Sequence, residues 1–266
     1  MSKEKLDILV VGAGHAGTEA ALIASKLKCT VGIITMDKAA IGRMSCNPAI
    51  GGLAKGQIVR EIDMLGGAMA RISDLCSLQI KTLNKKKGRA VWSPRAQIDK
   101  REYEKQIKKT LVESDVKIII GEVVSVIIKN NTFQGFRLRD GTSIYSRSGV
   151  ITAGTFLSGI VHIGERKILA GRMGEERAEG LTESLTSFGF KSARLKTGTP
   201  PRLVGKTISW EQTEPSWGDK KPNPLSYFSQ KFESKNVPCH TIHTSASSHE
   251  IIRKNLKKSP MFSGDI

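Results

Sequence analysis

Apolar runs and glycine breaks alternate along the first forty residues. Asp7–Val11 (DILVV) is short, apolar and β-branched, the pattern of a strand buried on both faces. Thr18–Leu27 sets Ala20, Ala21, Ile23, Ala24 and Leu27 on one helical face. Thr30–Ile34 reads as a second strand. Between the first strand and the helix lie Gly12, Ala13, Gly14, His15, Ala16 and Gly17.

The pattern then loosens. Residues 38–92 are punctuated by glycine, with a helix expected over Gln57–Leu65 and stopped by Gly66-Gly67. Ser93-Pro94 has the form of an N-cap followed by proline at the first helical position. The helix expected behind it carries Tyr103, Ile107 and Leu111 on one side, with Glu104 and Lys108 spaced as an i,i+4 pair. Lys117–Ile120 is another strand. Val123–Ile128, Phe133–Arg139 and Thr142–Tyr145, separated by Asn130-Asn131 and Asp140-Gly141, predict an antiparallel meander. Gly149–Thr152 returns as a strand ending in Ala153-Gly154-Thr155, and Gly180–Phe188 reads as a short helix. From about Thr199 periodicity fades. Ser247-Ser248-His249-Glu250 has the form of a capping box before a last basic helix.

The β-loop-α-β start, with glycines at positions 12, 14 and 17, is the arrangement that grips a dinucleotide. The first glycine allows the tight turn, the second lets backbone approach a diphosphate, and the third lets helix pack on strand. Asp37, just past the second strand, is the candidate ribose partner; an exposed loop aspartate is the competing reading. A meander between the Rossmann core and a returning strand favours FAD over NAD. The fold class expected is therefore α/β: a Rossmann-like FAD-binding domain of glutathione-reductase type with an antiparallel β-meander. Residues 1–198 are expected to form the N-terminal part of that domain, and 199–266 the start of an inserted NAD or substrate domain.

Composition narrows the partners. The chain has 266 residues and a formal net charge of +17, which favours a polyanion. Lys81–Lys109 holds eleven basic residues against three acids. Within it Lys85, Lys86, Lys87, Arg89 and Arg95 are candidates for RNA or cofactor phosphate, with Trp92 and Tyr103 interleaved. The competing reading is a solvated face with Tyr103 in the core. Four cysteines at 29, 46, 76 and 239 form no CxxC pair, so a reducing, cytoplasmic setting is expected. No apolar run is long enough to span a bilayer. Cys239, His240, His243 and His249 match no standard zinc spacing, and no metal is expected.

HAGTEAA (His15–Ala21), MSCNPAIGGLAKG (Met44–Gly56), KKGRAVWSPRAQIDK (Lys86–Lys100), GTFLSGIVHIG (Gly154–Gly164) and KTGTPPR (Lys196–Arg202) together resemble the MnmG (GidA) family. The resemblance covers essentially the whole chain. It implies an FAD-dependent enzyme that, with the GTPase MnmE, places an aminomethyl-type group on carbon five of the tRNA wobble uridine. It further implies NADH as reductant of the flavin, methylenetetrahydrofolate as carbon source, a homodimer and a heterotetramer with MnmE.

Residue by residue, the resemblance places the FAD diphosphate on Gly12–Gly17. It implies backbone contacts to the cofactor at Val123 and near Ala178. Cys46 falls on the cysteine of the family's SCNPAIGG loop, and a thiolate there suits attack on uracil carbon six; a buried inert thiol is the alternative. Arg89 stands where the family commonly has proline. Members of the family are more than twice this length, so the chain is expected to be a fragment. Two other functions compete: a folate- and FAD-dependent tRNA uracil methyltransferase, and a non-catalytic module that keeps RNA or subunit contacts.

Overall fold

A computed structural model describes residues 5–45, 47–230 and 232–264. In chain order the elements are β1 (Leu6–Val11), α1 (His15–Lys26), β2 (Val31–Thr35), β3 (Ala49–Gly51), α2 (Lys55–Met64), α3 (Met69–Leu75), β4 (Ser77–Leu83), β5 (Ser93–Ile98), α4 (Lys100–Val112) and β6 (Lys117–Ile120). They continue with β7 (Val123–Lys129), β8 (Thr132–Leu138), β9 (Ser143–Ile151), β10 (Val161–Ile163), β11 (Arg166–Ile168), α5 (Leu181–Ser187), β12 (Glu214–Ser216), β13 (Cys239–Thr241), α6 (Ala246–Asn255) and α7 (Pro260–Ser263). The chain divides into two compact units. One takes Met1–Ile41, Ser114–Thr197 and Thr244–Ile266, the other Gly42–Glu113 and Gly198–His243.

The first unit is built on a six-stranded sheet of order β6-β2-β1-β9-β8-β7. β6, β2, β1 and β9 run parallel, and β7, β8 and β9 form the antiparallel meander. The architecture is thus α/β, with the Rossmann-like start and the meander that the sequence pattern predicts. β9 belongs to both parts. Its residues Ser143–Tyr145 pair with β8, and Ser146–Ile151 pair with β1. The expected third meander strand and the expected returning strand are therefore one continuous strand. The polar run Ser146-Arg147-Ser148 breaks the apolar pattern, but backbone pairing does not need apolar side chains.

Leu9, Val11, Ile34, Val123, Phe136, Leu138 and Leu181 form the core of this unit. Phe133 and Phe136 meet edge to face with centroids 5.1 Å apart, a favoured aromatic geometry. Gly149 makes room for both: a Cβ there would lie 2.6 Å from Phe133 and 2.9 Å from Phe136.

In the second unit β3, β5 and β4 form an antiparallel sheet. Here the structure corrects the expected helix start at Ser93-Pro94, because both residues lie in β5. Pro94 pairs across to Thr82, and the helix begins only after Asp99. The Asp99 carboxylate accepts the N–H groups of Arg101 and Glu102 at 3.1 and 3.2 Å, which makes it the N-cap of α4. Tyr103, Ile107 and Leu111 are buried as expected. Glu104 turns to the Met44 N–H, 3.1 Å away, rather than to Lys108.

The stretch from 198 to 243 lacks periodicity yet is well tied. Gln79 Nε2 donates to the carbonyls of Ser216 and Val237 at 2.8 and 3.1 Å. Two buried carboxylates, Asp63 and Asp74, accept the N–H groups of Leu225, Ser226 and Tyr227. Burial raises the Asp74 pKa, against the pull of those hydrogen bonds. Near the end, Ser245 rather than Ser247 caps α6, accepting the Ser248 N–H.

Phe136 fills the centre of the first unit's core, so Phe136→Ala is expected to cost about 3–5 kcal/mol of unfolding free energy. Urea denaturation checks this, and a loss below about 1 kcal/mol contradicts the assigned core.

Candidate functional site

The glycine turn is closed by backbone crowding. Gly12 has φ +96°, and a Cβ there would lie 2.5 Å from the Thr152 carbonyl oxygen. A Cβ on Gly17 would fall 1.7 Å from the Gly12 carbonyl oxygen. Neither position admits a side chain. The Gly12 N–H donates to the Ile34 carbonyl at 2.8 Å. Thr152 Oγ1 donates to the carbonyls of Val11 and Gly12 at 2.8 and 3.0 Å. The end of β1, the start of α1 and the end of β9 are thereby locked together.

Gly14 differs. A Cβ added there would meet nothing within 4 Å. It is the N-cap of α1, no side chain caps that terminus, and the first turn carries no acid. The first N–H groups of a helix have no intrahelical acceptor and the terminus is electropositive. Open space at such an end fits an anion approached by backbone.

This space belongs to a cavity of about 350 Å³, in the size range of small-molecule sites. Gly12, Ala13 and Gly14 line it, and His15, Ala16 and Gly17 follow as the first turn of α1. Asp37 is also on its wall; its Oδ1 accepts the Ala39 N–H at 2.7 Å. Val123, at the start of β7, is a wall residue 4% exposed. Ala178 lines the cavity too, with its N–H on the Phe156 carbonyl and its carbonyl on the Ser158 N–H. Four groups singled out from sequence, the glycine turn, Asp37, Val123 and Ala178, thus converge on one cavity. The open, uncapped helix start at Gly14 on this wall fits the diphosphate of a dinucleotide such as FAD.

Glu122, next to Val123, braces this wall. It accepts hydrogen bonds from Arg139, one of them 2.6 Å, and the Glu179 N–H at 2.9 Å. The Arg139 guanidinium foremost, with the Glu179 N–H adding to it and burial opposing, holds Glu122 below the ordinary glutamate value. At the helix start, burial, with the charge of Arg172 behind it, holds the His15 imidazole below its ordinary value, favouring the neutral ring.

The basic candidates Lys85, Lys86, Lys87, Arg89 and Arg95 lie in the other unit. Lys85 pairs with Asp219 at 2.8 Å. Lys86 and Lys87 are exposed, Arg89 sits over the Trp92 ring at 5.6 Å, and Arg95 is half-buried on β5. Cys46 lies outside the described residues. His240 meets Thr213 Oγ1 and His249 meets Thr244 Oγ1, both at 2.7 Å. Among the described residues no helix is long and apolar enough to cross a membrane. Sequence reasoning missed Thr152, whose hydroxyl clamps the turn, and Arg172 on the cavity wall. Thr152 ends an expected strand without any motif of its own, and Arg172 sits in an aperiodic loop.

Comparison with known proteins gives a consistent set of relatives. The sequence profile described as "Glucose inhibited division protein A" matches residues 7–266. A "tRNA uridine 5-carboxymethylaminomethyl modification enzyme MnmG" of Thermodesulfovibrio yellowstonii is 46% identical over 100% of this chain and 43% of its own length. The protein of that name from Flavobacterium johnsoniae is 44% identical over 100% of this chain and 43% of its own. The structure of Aquifex aeolicus GidA superposes with a TM-score of 0.93 at 42% identity, over 97% of this chain and 44% of that one. A GidA-related protein of Thermus thermophilus, at 20% identity and TM-score 0.51 over 70% and 69% of the two chains, shares the fold. The chain thus spans less than half the length of the curated relatives it matches.

A carboxylate with a depressed folded-state pKa contributes stability above its unfolded value and loses it as pH falls through the folded one. Glu122→Gln is therefore expected to cost about 1 kcal/mol at neutral pH, Arg139 being exposed and its pairing screened. The difference from wild type should shrink to nothing in strong acid. Denaturant titrations over a pH series check this, and a pH-independent difference contradicts it.

Proposed function

The chain belongs to the glucose inhibited division protein A family, and on that premise we propose that it holds the flavin in an FAD-dependent enzyme modifying the tRNA wobble uridine. The observation that carries the cofactor reading is the open, uncapped helix start at Gly14 on a cavity shared with Asp37 and Val123. The substrate reading is carried by relatives named as tRNA uridine modification enzymes.

In this reading Gly12, Ala13 and Gly14 present backbone to the diphosphate, and the first-turn N–H groups of α1 face its charge. Asp37 stands toward a ribose, and Val123 contributes backbone contact. FAD held there would supply redox chemistry, with NADH as the reductant and methylenetetrahydrofolate as the carbon source that the family resemblance implies. Cys46 adds as thiolate to uracil carbon six, which makes carbon five nucleophilic. Lys86, Lys87 and Arg89 face tRNA phosphate, Arg95 flanks them, and Lys85 is engaged with Asp219. The GTPase MnmE, a homodimer and a cytoplasmic setting complete the reading.

The test joins this chain to the C-terminal portion of the Thermodesulfovibrio relative, in cells lacking a family member of their own. Mass spectrometry of their tRNA should show carbon-five modification of the wobble uridine. Cys46→Ala should abolish it while the purified protein keeps its flavin. Modification undiminished in Cys46→Ala removes Cys46 from the chemistry, and an unmodified uridine with the intact chimera contradicts the substrate reading.

A further inference from the structure

Asp37, Glu175, Glu176 and Arg172 all lie on the wall of the cavity. Among its described lining residues Arg172 is the one lysine or arginine, set against three carboxylates. A site with that balance takes a ligand bearing several negative charges only where a cation and backbone donors meet.

Arg172 is held in place for such a meeting. Its guanidinium stacks over the Phe156 ring at 4.9 Å, and its side chain is 23% exposed. It heads a tight turn in which the Glu175 N–H donates to the Arg172 carbonyl at 3.0 Å and Gly174 takes φ +76°. Phe156 packs closely under this turn, because a Cβ on the preceding Gly171 would fall 2.3 Å from its ring. The Arg172 charge bears on His15, the first residue of α1, so cation and helix terminus act on the same space. Its contact with Glu175 is long, Nη1 to Oε1 3.7 Å. That is beyond hydrogen-bond length, and it is not the bidentate geometry of a locked arginine–carboxylate pair.

We infer that Arg172 binds the diphosphate of the dinucleotide seated on the Gly12–Gly14 turn, an assignment that rests on the cofactor reading above. The planar fork of arginine suits two phosphate oxygens at once, and stacking on Phe156 fixes its plane before the ligand arrives. Glu175 is the competing anion. It neutralises the guanidinium while the ligand is away and yields when phosphate oxygens approach.

Isothermal titration of the 266-residue chain with ADP, FAD and adenosine tests this. Arg172→Ala should weaken ADP and FAD about 10- to 100-fold, the scale of a lost charge-assisted hydrogen-bond pair, and leave adenosine affinity as in wild type. Glu175→Gln should bind ADP at least as tightly as wild type, which no general damage to the turn would produce. Should Arg172→Ala fail to fold, Arg172→Gln, which keeps part of the aliphatic stem but not the charge, carries the same comparison. Wild-type ADP affinity in the arginine variant, a parallel loss of adenosine, or weakened ADP binding in Glu175→Gln overturns the inference alone. A wild-type chain that binds neither ADP nor FAD overturns the cofactor reading and this assignment with it.

Discussion

The structure turns on the absence of side chains where three elements meet. Gly12 and Gly17 leave no room for a Cβ, and Thr152 fills the space that remains by donating to the Val11 and Gly12 carbonyls. Any larger residue at either glycine would push α1 off β1 or β9 off both. Because the helix is held this close, its uncapped terminus opens at Gly14 onto the cavity. The packing constraint and the binding geometry are one feature.

β9 extends that constraint to the rest of the first unit. By pairing with β8 in its first third and with β1 thereafter, it makes the meander and the parallel strands a single sheet. Val123 then reaches the cavity from the meander side, and Thr152 from the end of β9 itself. Glu122 binds Arg139 and the Glu179 backbone, so the chain entering α5 is fixed to the same wall. A ligand here would touch residues more than a hundred positions apart in sequence, held by one sheet.

Most of this frame could be read from the chain because its signals are local. β-Branched runs, the glycine spacing and the Asn130-Asn131 and Asp140-Gly141 turns each act within a few residues. The expected helix start at Ser93-Pro94 failed because proline at the first helical position and proline in a strand look alike locally. Pairing of Pro94 with Thr82 decided between them. The stretch from 198 to 243 was opaque for another reason: its order comes from Gln79, Asp63 and Asp74, more than a hundred residues upstream. At the candidate site the glycine turn, Asp37 and Val123 were legible, the last through resemblance. Arg172 was not, since one arginine in an aperiodic loop carries no signal until the fold sets it over Phe156.

The central claim is that backbone at the β1–α1 turn receives a dinucleotide diphosphate. A crystal structure of this chain grown with FAD tests it most directly. The account predicts diphosphate oxygens within hydrogen-bond distance of backbone N–H groups in Gly12–Gly17, with the adenosine ribose beside Asp37. Well-defined FAD bound elsewhere on the chain, with the Gly14 opening left to solvent, would contradict it.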